Sequence, residues 1–333
     1  RPRVNTIFFG GGTPSYVPLD QIEQTLAACR SAFDLSPQAE VTAEANPGDL
    51  SQEGLRRLLA LGVNRLSIGV QSFDDGLLKL LGRRHSADAA RESLVAARQA
   101  GFSNVNLDLM YGLPGQTLEQ WRETLVKTLE LAPAHLSLYC LTLEEGTRLD
   151  KQVREGKLQD PDPDLAADMY ILAEELLAGG NYHHYEISNW AQPGLECRHN
   201  LTYWLNQPYI GVGAGAHSYI GGFRFSDVRT PRLYIQRVRR WGRRDVSVAD
   251  PLDAASLGAI PPLEGFEAIG RRLEMAETMF LGLRLLDGMS ITRFRQRFGQ
   301  EVDEVYGGQV RELTALGLLE QEGPDRSGLR LTP

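Results

Sequence analysis

A glycine run and three polar side chains at spaced positions carry the most chemical promise in this sequence. Gly10-Gly11-Gly12-Thr13 follows an apolar stretch, and consecutive glycines leave backbone N–H and C=O groups open to a ligand because no Cβ stands in the way. A tight turn would use the same residues. Glu44, Gln71 and Asp108 fall at the ends of three further apolar stretches. Two carboxylates and a carboxamide supply acceptors and a donor, a set suited to a ribose diol or an ammonium group. Singly, an acid at a strand end is more often a helix cap or a loop anchor; three polar groups in successive units on one rim are harder to dismiss. Arg83, in Leu81-Gly82-Arg83-Arg84-His85, is suited to bidentate pairing with a carboxylate, or is a solvated surface arginine. Neither G-x-G-x-x-G nor G-x4-G-K-[ST] occurs, so dinucleotide and P-loop chemistry have no support.

The elements that must position these groups follow from periodicity. Five β-rich runs, at residues 4–9, 41–45, 65–70, 105–110 and 135–141, alternate with stretches of helical spacing, which predicts a parallel sheet. Polar or glycine-rich residues follow each run, so the candidate groups share the C-terminal rim, where βα barrels collect function. Five units are too few to close eight strands. The expectation is an α/β fold with an open partial TIM-type (β/α)6 barrel lacking its first unit, its helices outside and packed side chains within. That barrel occupies residues 1–150. Residues 151–245 form an α/β extension with antiparallel strands, 246–270 read as a linker rich in Ala, Gly and Pro, and 271–333 as a small winged-helix-like domain of three short helices and a hairpin, cut short at its end.

Composition bounds the function. A chain of 333 residues suits about two domains, and a net charge of −8 argues against general binding of nucleic acid. No apolar run approaches the roughly 18–20 residues of a membrane span. Cys29, Cys140 and Cys197 are too scattered for a disulfide framework, which fits a reducing cytoplasm. The chain runs from Arg1-Pro2-Arg3 almost directly into a strand, without an initiator Met, and reads as a fragment whose true start is missing. Against the acidic background, Arg224, Arg229, Arg232, Arg237, Arg239, Arg240, Arg243 and Arg244 make a basic stripe interleaved with Tyr234 and Trp241. It is a solvated helix face, or a grip for carboxylates or for an acidic membrane surface.

Five ordered motifs carry a family likeness: Phe8-Phe9-Gly10-Gly11-Gly12-Thr13-Pro14-Ser15, Glu44-Ala45-Asn46-Pro47, Gly69-Val70-Gln71-Ser72-Phe73, Gly82-Arg83-Arg84-His85 and Asp108-Leu109-Met110-Tyr111-Gly112-Leu113-Pro114-Gly115. They resemble the radical SAM enzymes of the oxygen-independent coproporphyrinogen III oxidase family. His199-Asn200-Leu201-Thr202-Tyr203-Trp204 resembles the H-N-x-x-Y-W signature of that family's haem-chaperone branch. The resemblance implies that Gly11, Gly12 and Thr13 contact the methionyl part of S-adenosylmethionine, and that Glu44, Gln71, Arg83 and Asp108 hold the rest. It implies haem as a further ligand, with His199 on the iron and Tyr203 and Trp204 flanking the porphyrin, whereas a hydrogen-bonded structural histidine is the reading without it. His183, His184 and His217 read as structural.

The resemblance also implies a [4Fe-4S] cluster on three thiolates, but the C-x3-C-x2-C loop that would carry it is absent here. The expectation is that this chain holds no stable cluster and that the complete protein does. Two functions follow. The first is a chaperone delivering haem to haem-requiring acceptor proteins, membrane-associated respiratory components among them, from the cytoplasm or the membrane periphery. The second is an oxygen-independent coproporphyrinogen III dehydrogenase. A SAM- or ribose-binding barrel of other purpose is a third.

Overall fold

The computed structural model describes residues 1–241, 252–322 and 327–332. Its first unit, Arg1–His199, is built on seven strands. Five are parallel and neighbour one another in chain order: β1 (Arg3–Phe9), β2 (Asp34–Ala45), β3 (Arg65–Gln71), β4 (Asn104–Tyr111) and β5 (His135–Cys140). Beyond β5 lie β6 (His183–Glu186) and β7 (Asn189–Ala191), in the order β5-β7-β6, with β7 antiparallel to both. The sheet curls but stays open, with β1 and β6 as its two edges, as a partial barrel should.

The helices between the parallel strands start and stop on local signals. Ser51, Ser86 and Thr117 each accept a hydrogen bond from a first-turn N–H, satisfying donors that the helix itself cannot, and Thr117 forms a reciprocal capping box with Gln120. Leu66, Ile68, Leu107, Leu109, Leu136 and Leu138 point from the sheet to these helices and meet Leu26, Leu58, Leu94, Trp121 and Leu125 in one apolar core. Burying each such leucine contributes roughly 1.5–3 kcal/mol.

The other face of the sheet departs from expectation. Instead of apolar packing it presents Glu40, Thr42 and Glu44 on β2, Arg65 and Ser67 on β3, Asn106 and Asp108 on β4, and His135 and Ser137 on β5, alternating with the core residues at the two-residue period of a strand. The physical reason is closure: an eight-stranded barrel fills its own centre, whereas an open one leaves a concave surface that must be polar to face water or a ligand.

The second unit, Asn200–Pro333, contains two small antiparallel sheets. One orders β10-β9-β8, where β8 is His217–Ile220, β9 Phe223–Asp227 and β10 Leu263–Ala268. Residues 254–268, inside the stretch that composition marks as linker, therefore carry a short helix, Ala254–Gly258, and a paired strand; residues 246–251 lie outside the described part. The other sheet orders β11 (Met289–Ser290), β13 (Gly328–Leu331) and β12 (Leu319–Glu322). It packs with the helices Arg271–Gly282, Ile291–Phe298 and Val302–Ala315 around Met275, Phe294, Phe298, Val310 and Leu329, the three helices and hairpin read from the sequence. Within the basic stripe, Arg224 pairs with both oxygens of buried Glu277 at 2.8 Å; Arg243 and Arg244 lie outside the described residues.

Candidate functional site

Strand geometry brings the predicted groups to one mouth. Gly12, Thr13, Glu44, Asn46, Gln71, Arg83 and Asp108 line a single polar cavity of about 230 Å³ at the C-terminal ends of β2, β3 and β4, joined on its wall by Ser67 and Gly69. The backbone of Gly11 lies close enough to Glu44 to draw its pKa down, against the effect of burial. His199 lies outside this lining.

Two glycines are fixed by close approach. A Cβ on Gly10 would fall 2.6 Å from Phe8 Cε1 and 3.0 Å from the Glu44 carboxyl, so a side chain there would displace the acid. A Cβ on Gly69 would fall 3.0 Å from Gln71 Nε2. Gln71 itself holds a left-handed backbone, φ 69°, where β3 loses register with β4. An L side chain in that region is strained, and such strain concentrates at binding sites, here turning the carboxamide to the cavity.

The carboxylates are held and electrically tuned. Asp108 Oδ1 accepts from Asn106 Nδ2 at 2.8 Å and Oδ2 from Ser67 Oγ at 3.1 Å. Burial pushes its carboxyl above the usual carboxylate range, against the pull of these hydrogen bonds. Burial also raises Glu44, and the neighbouring charge of Asp108 raises it further. Two desolvated acids facing one cavity favour a cation or a set of hydroxyl donors. Arg83, exposed on the rim, lies near enough to feel Asp108.

Beneath the mouth runs a network that sequence reading missed. His135, fully buried, bonds Asn106 Oδ1 through Nδ1 at 2.7 Å and the Tyr185 hydroxyl through Nε2 at 2.8 Å. Asn106 Nδ2 donates to Ser67 Oγ at 2.7 Å as well as to Asp108. The network locks Asp108 in place through both neighbouring strands. Its signal was available as polar residues alternating with apolar ones over residues 40–44, 65–67, 104–108 and 135–137.

His199 sits at the start of the helix Arg198–Trp204. Its Nδ1 is 2.9 Å from Thr6 Oγ1, its ring stacks on Phe8 at 5.1 Å, and its backbone N–H donates to Glu40 Oε1 at 2.9 Å. Burial lowers its pKa, so the imidazole is neutral at pH 7, the form that ligates metal. In the second unit Trp204 lies under the Arg284 guanidinium, 4.4 Å from its centroid, and Tyr203 packs edge-on against Tyr209.

The residues present do not fit an iron–sulfur cluster. Cys29 lies on the helix Leu19–Ala32, Cys140 ends β5, and buried Cys197 directs its thiol to Glu40 Oε1 at 3.5 Å. Among the described residues no three His, Cys, Asp or Glu side chains gather as metal ligands.

Comparison with known proteins gives a consistent result. Residues 1–127 match the Radical SAM superfamily and residues 271–333 the HemN C-terminal domain. A Lactococcus lactis protein named Heme chaperone HemW is 37% identical over 99% of this chain and 81% of its own length. The Bacillus subtilis protein of that name is 37% identical over 96% of this chain and 80% of its own. The mouse Radical S-adenosyl methionine domain-containing protein 1, mitochondrial, is 39% identical over 95% of this chain and 70% of its own. Among solved structures, the coproporphyrinogen III oxidase HemN of Escherichia coli superposes with a TM-score of 0.80 at 23% identity, covering 99% of this chain and 74% of that one, a likeness of fold.

Proposed function

The chain belongs to the HemW family of radical SAM proteins, and from that membership we propose that it binds S-adenosylmethionine at the mouth of its open barrel and carries haem to proteins that require it. The observation that supports the first half most strongly is the convergence of Gly12, Thr13, Glu44, Gln71, Arg83 and Asp108, drawn from five separate chain segments, around one cavity. On this reading Glu44 and Asp108 accept hydrogen bonds from the ammonium group or ribose hydroxyls, Gln71 adds a directional amide, and the glycine run offers backbone groups without steric hindrance. The ligand would supply a sulfonium cation, which the two desolvated carboxylates offset. No step is assigned to an iron–sulfur cluster, since the residues that would hold one are not among those described.

For haem, the reading rests on His199. A hydrogen bond at Nδ1, here to Thr6, is how proteins orient an imidazole that ligates through Nε2, and the Phe8 stack restrains the ring. The helix Pro231–Trp241 exposes Leu233, Ile235 and Val238 beside Arg232, Arg239 and Arg240, a combination that supports delivery at an acidic membrane surface. No helix among the described residues is long and apolar enough to cross a membrane.

Titration with haem tests the proposal. The wild-type protein should give a Soret shift that saturates at one haem and should pass that haem to an apo-haemoprotein. His199→Ala should lose the axial-ligand signature and bind more weakly. An unchanged Soret band and affinity in His199→Ala would remove the histidine from the account.

A further inference from the structure

The lowest row of the concave face is left unused by the adenosyl site. Thr42, Arg65 and Asn104 are register partners across β2, β3 and β4, so their side chains stand abreast on the inner surface. Each carries a buried polar atom with no hydrogen-bond partner among the described residues: Thr42 Oγ1, Arg65 Nε and Asn104 Oδ1. Three orphans in one row are unusual, because buried polar groups are nearly always paired.

Arg65 is the informative member. It is 2% exposed, and no ion pair joins it to an acid among the described residues. The nearby acids are engaged elsewhere. Glu40 accepts from the backbone N–H groups of Arg198 and His199 and from the Cys197 thiol, while Asp108 accepts from Asn106 and Ser67. Of the groups that feel the Arg65 charge only Asp108 is an acid, and its oxygens are held by Asn106 and Ser67 rather than by the guanidinium; His135, Tyr185 and His199 are not anions. A guanidinium taken out of water with no anion in contact is costly, and Arg keeps its proton under all ordinary conditions.

We infer that Thr42, Arg65 and Asn104 form a carboxylate-binding subsite on the inner floor of the open barrel. Arg65 supplies the charge and a planar fork of donors matched to a carboxylate, Thr42 a hydroxyl donor, and Asn104 an amide donor when its side chain is turned over. The identity of the ligand rests on the haem reading above, under which the carboxylate is a haem propionate. A small dicarboxylate presents the same chemistry without a porphyrin.

The test compares wild type, Arg65→Met and Arg65→Lys in three measurements. Without ligand, Arg65→Met should melt at or above the wild-type temperature, because it removes an uncompensated buried charge; a fall of several degrees would show the arginine to be structurally paired and overturn the subsite. With haem and haem dimethyl ester, wild type should bind the free acid roughly ten- to a hundredfold more tightly, Arg65→Met should bind both alike, and Arg65→Lys should keep part of the difference. A preference for the free acid that survives in Arg65→Met, or that wild type lacks, overturns it. If wild type binds neither porphyrin, the haem reading fails separately and succinate decides: stabilisation by succinate that requires Arg65 upholds the subsite, and none overturns it.

Discussion

Asp108→Asn separates what the site costs the fold from what it gives a ligand. The carboxyl lies on β4 between Ser67 of β3 and Ser137 of β5 and accepts hydrogen bonds from Ser67 and Asn106, while Ser137 donates to Asn106 Oδ1. An amide of the same shape keeps this lattice, with its oxygen accepting from Asn106 and its nitrogen donating to Ser67 Oγ. The charge is what changes. Because burial raises the folded-state pKa of Asp108, and its charge raises Glu44 in turn, ionisation is penalised in the folded protein. The protonated form stabilises the fold below the ordinary carboxylate pKa, and that stability is lost as pH rises toward the raised value. Asp108→Asn should therefore be as stable as wild type at pH 4 and more stable at pH 7, with a higher melting temperature there. Binding should move the other way. Losing one charge-assisted hydrogen bond costs about 1.5–3 kcal/mol, which weakens S-adenosylmethionine by roughly ten- to a hundredfold. Thermal melts at the two pH values and isothermal titration at pH 7 read both quantities. A dissociation constant within twofold of wild type, or a melting temperature several degrees lower at pH 7, would refute the role assigned to the charge.

Other consequences follow from the same geometry. Gly69→Ala places a Cβ against the Gln71 carboxamide, so S-adenosylmethionine affinity should drop severalfold while the melting temperature stays within about 2 °C, because only a flexible side chain must move; titration showing full affinity would detach Gln71 from the site. Trp121, fully buried with Nε1 donating to Met169 O at 2.8 Å, anchors the core, and Trp121→Ala should cost about 3–5 kcal/mol in urea unfolding; a loss below about 1 kcal/mol would contradict its packing. His135 is kept neutral by burial, its pKa well below the ordinary value. Its stabilising contribution is present above about pH 6.5 and lost as pH falls, by up to about 1.4 kcal/mol per unit. His135→Gln should flatten the pH dependence of stability between about pH 6.5 and 5, and parallel profiles for the two proteins would count against the neutral imidazole.

The parallel strands and the rim are legible in the sequence because each strand ends in a local signal: the glycine run after β1, Glu44-Ala45-Asn46-Pro47 at the end of β2, Gln71 as the last residue of β3, and Tyr111-Gly112 at the end of β4. The polar inner face is legible too, although it requires weighing alternation over apolar content. Glu40, Thr42 and Glu44 interleave with Val41 and Ala43, and His135 and Ser137 with Leu136 and Leu138, the pattern of strands buried by helices on one side only. What cannot be read is anything set by partners distant in the chain. The orphan state of Arg65 depends on Glu40 being drawn to residues 197–199, more than 150 positions away. The left-handed Gln71 depends on a slip of β3 against β4. Strand β10 is hidden by its surroundings: a stretch rich in Ala, Gly and Pro folds as a strand because β9 offers it an edge.

A crystal structure of the protein grown with saturating S-adenosylmethionine addresses the account at its centre. Density for the adenosyl group should lie inside the cavity, with Glu44, Gln71 and Asp108 all within hydrogen-bonding distance of the ligand. Density elsewhere on the chain, or a cavity holding only solvent at saturating ligand, would contradict it.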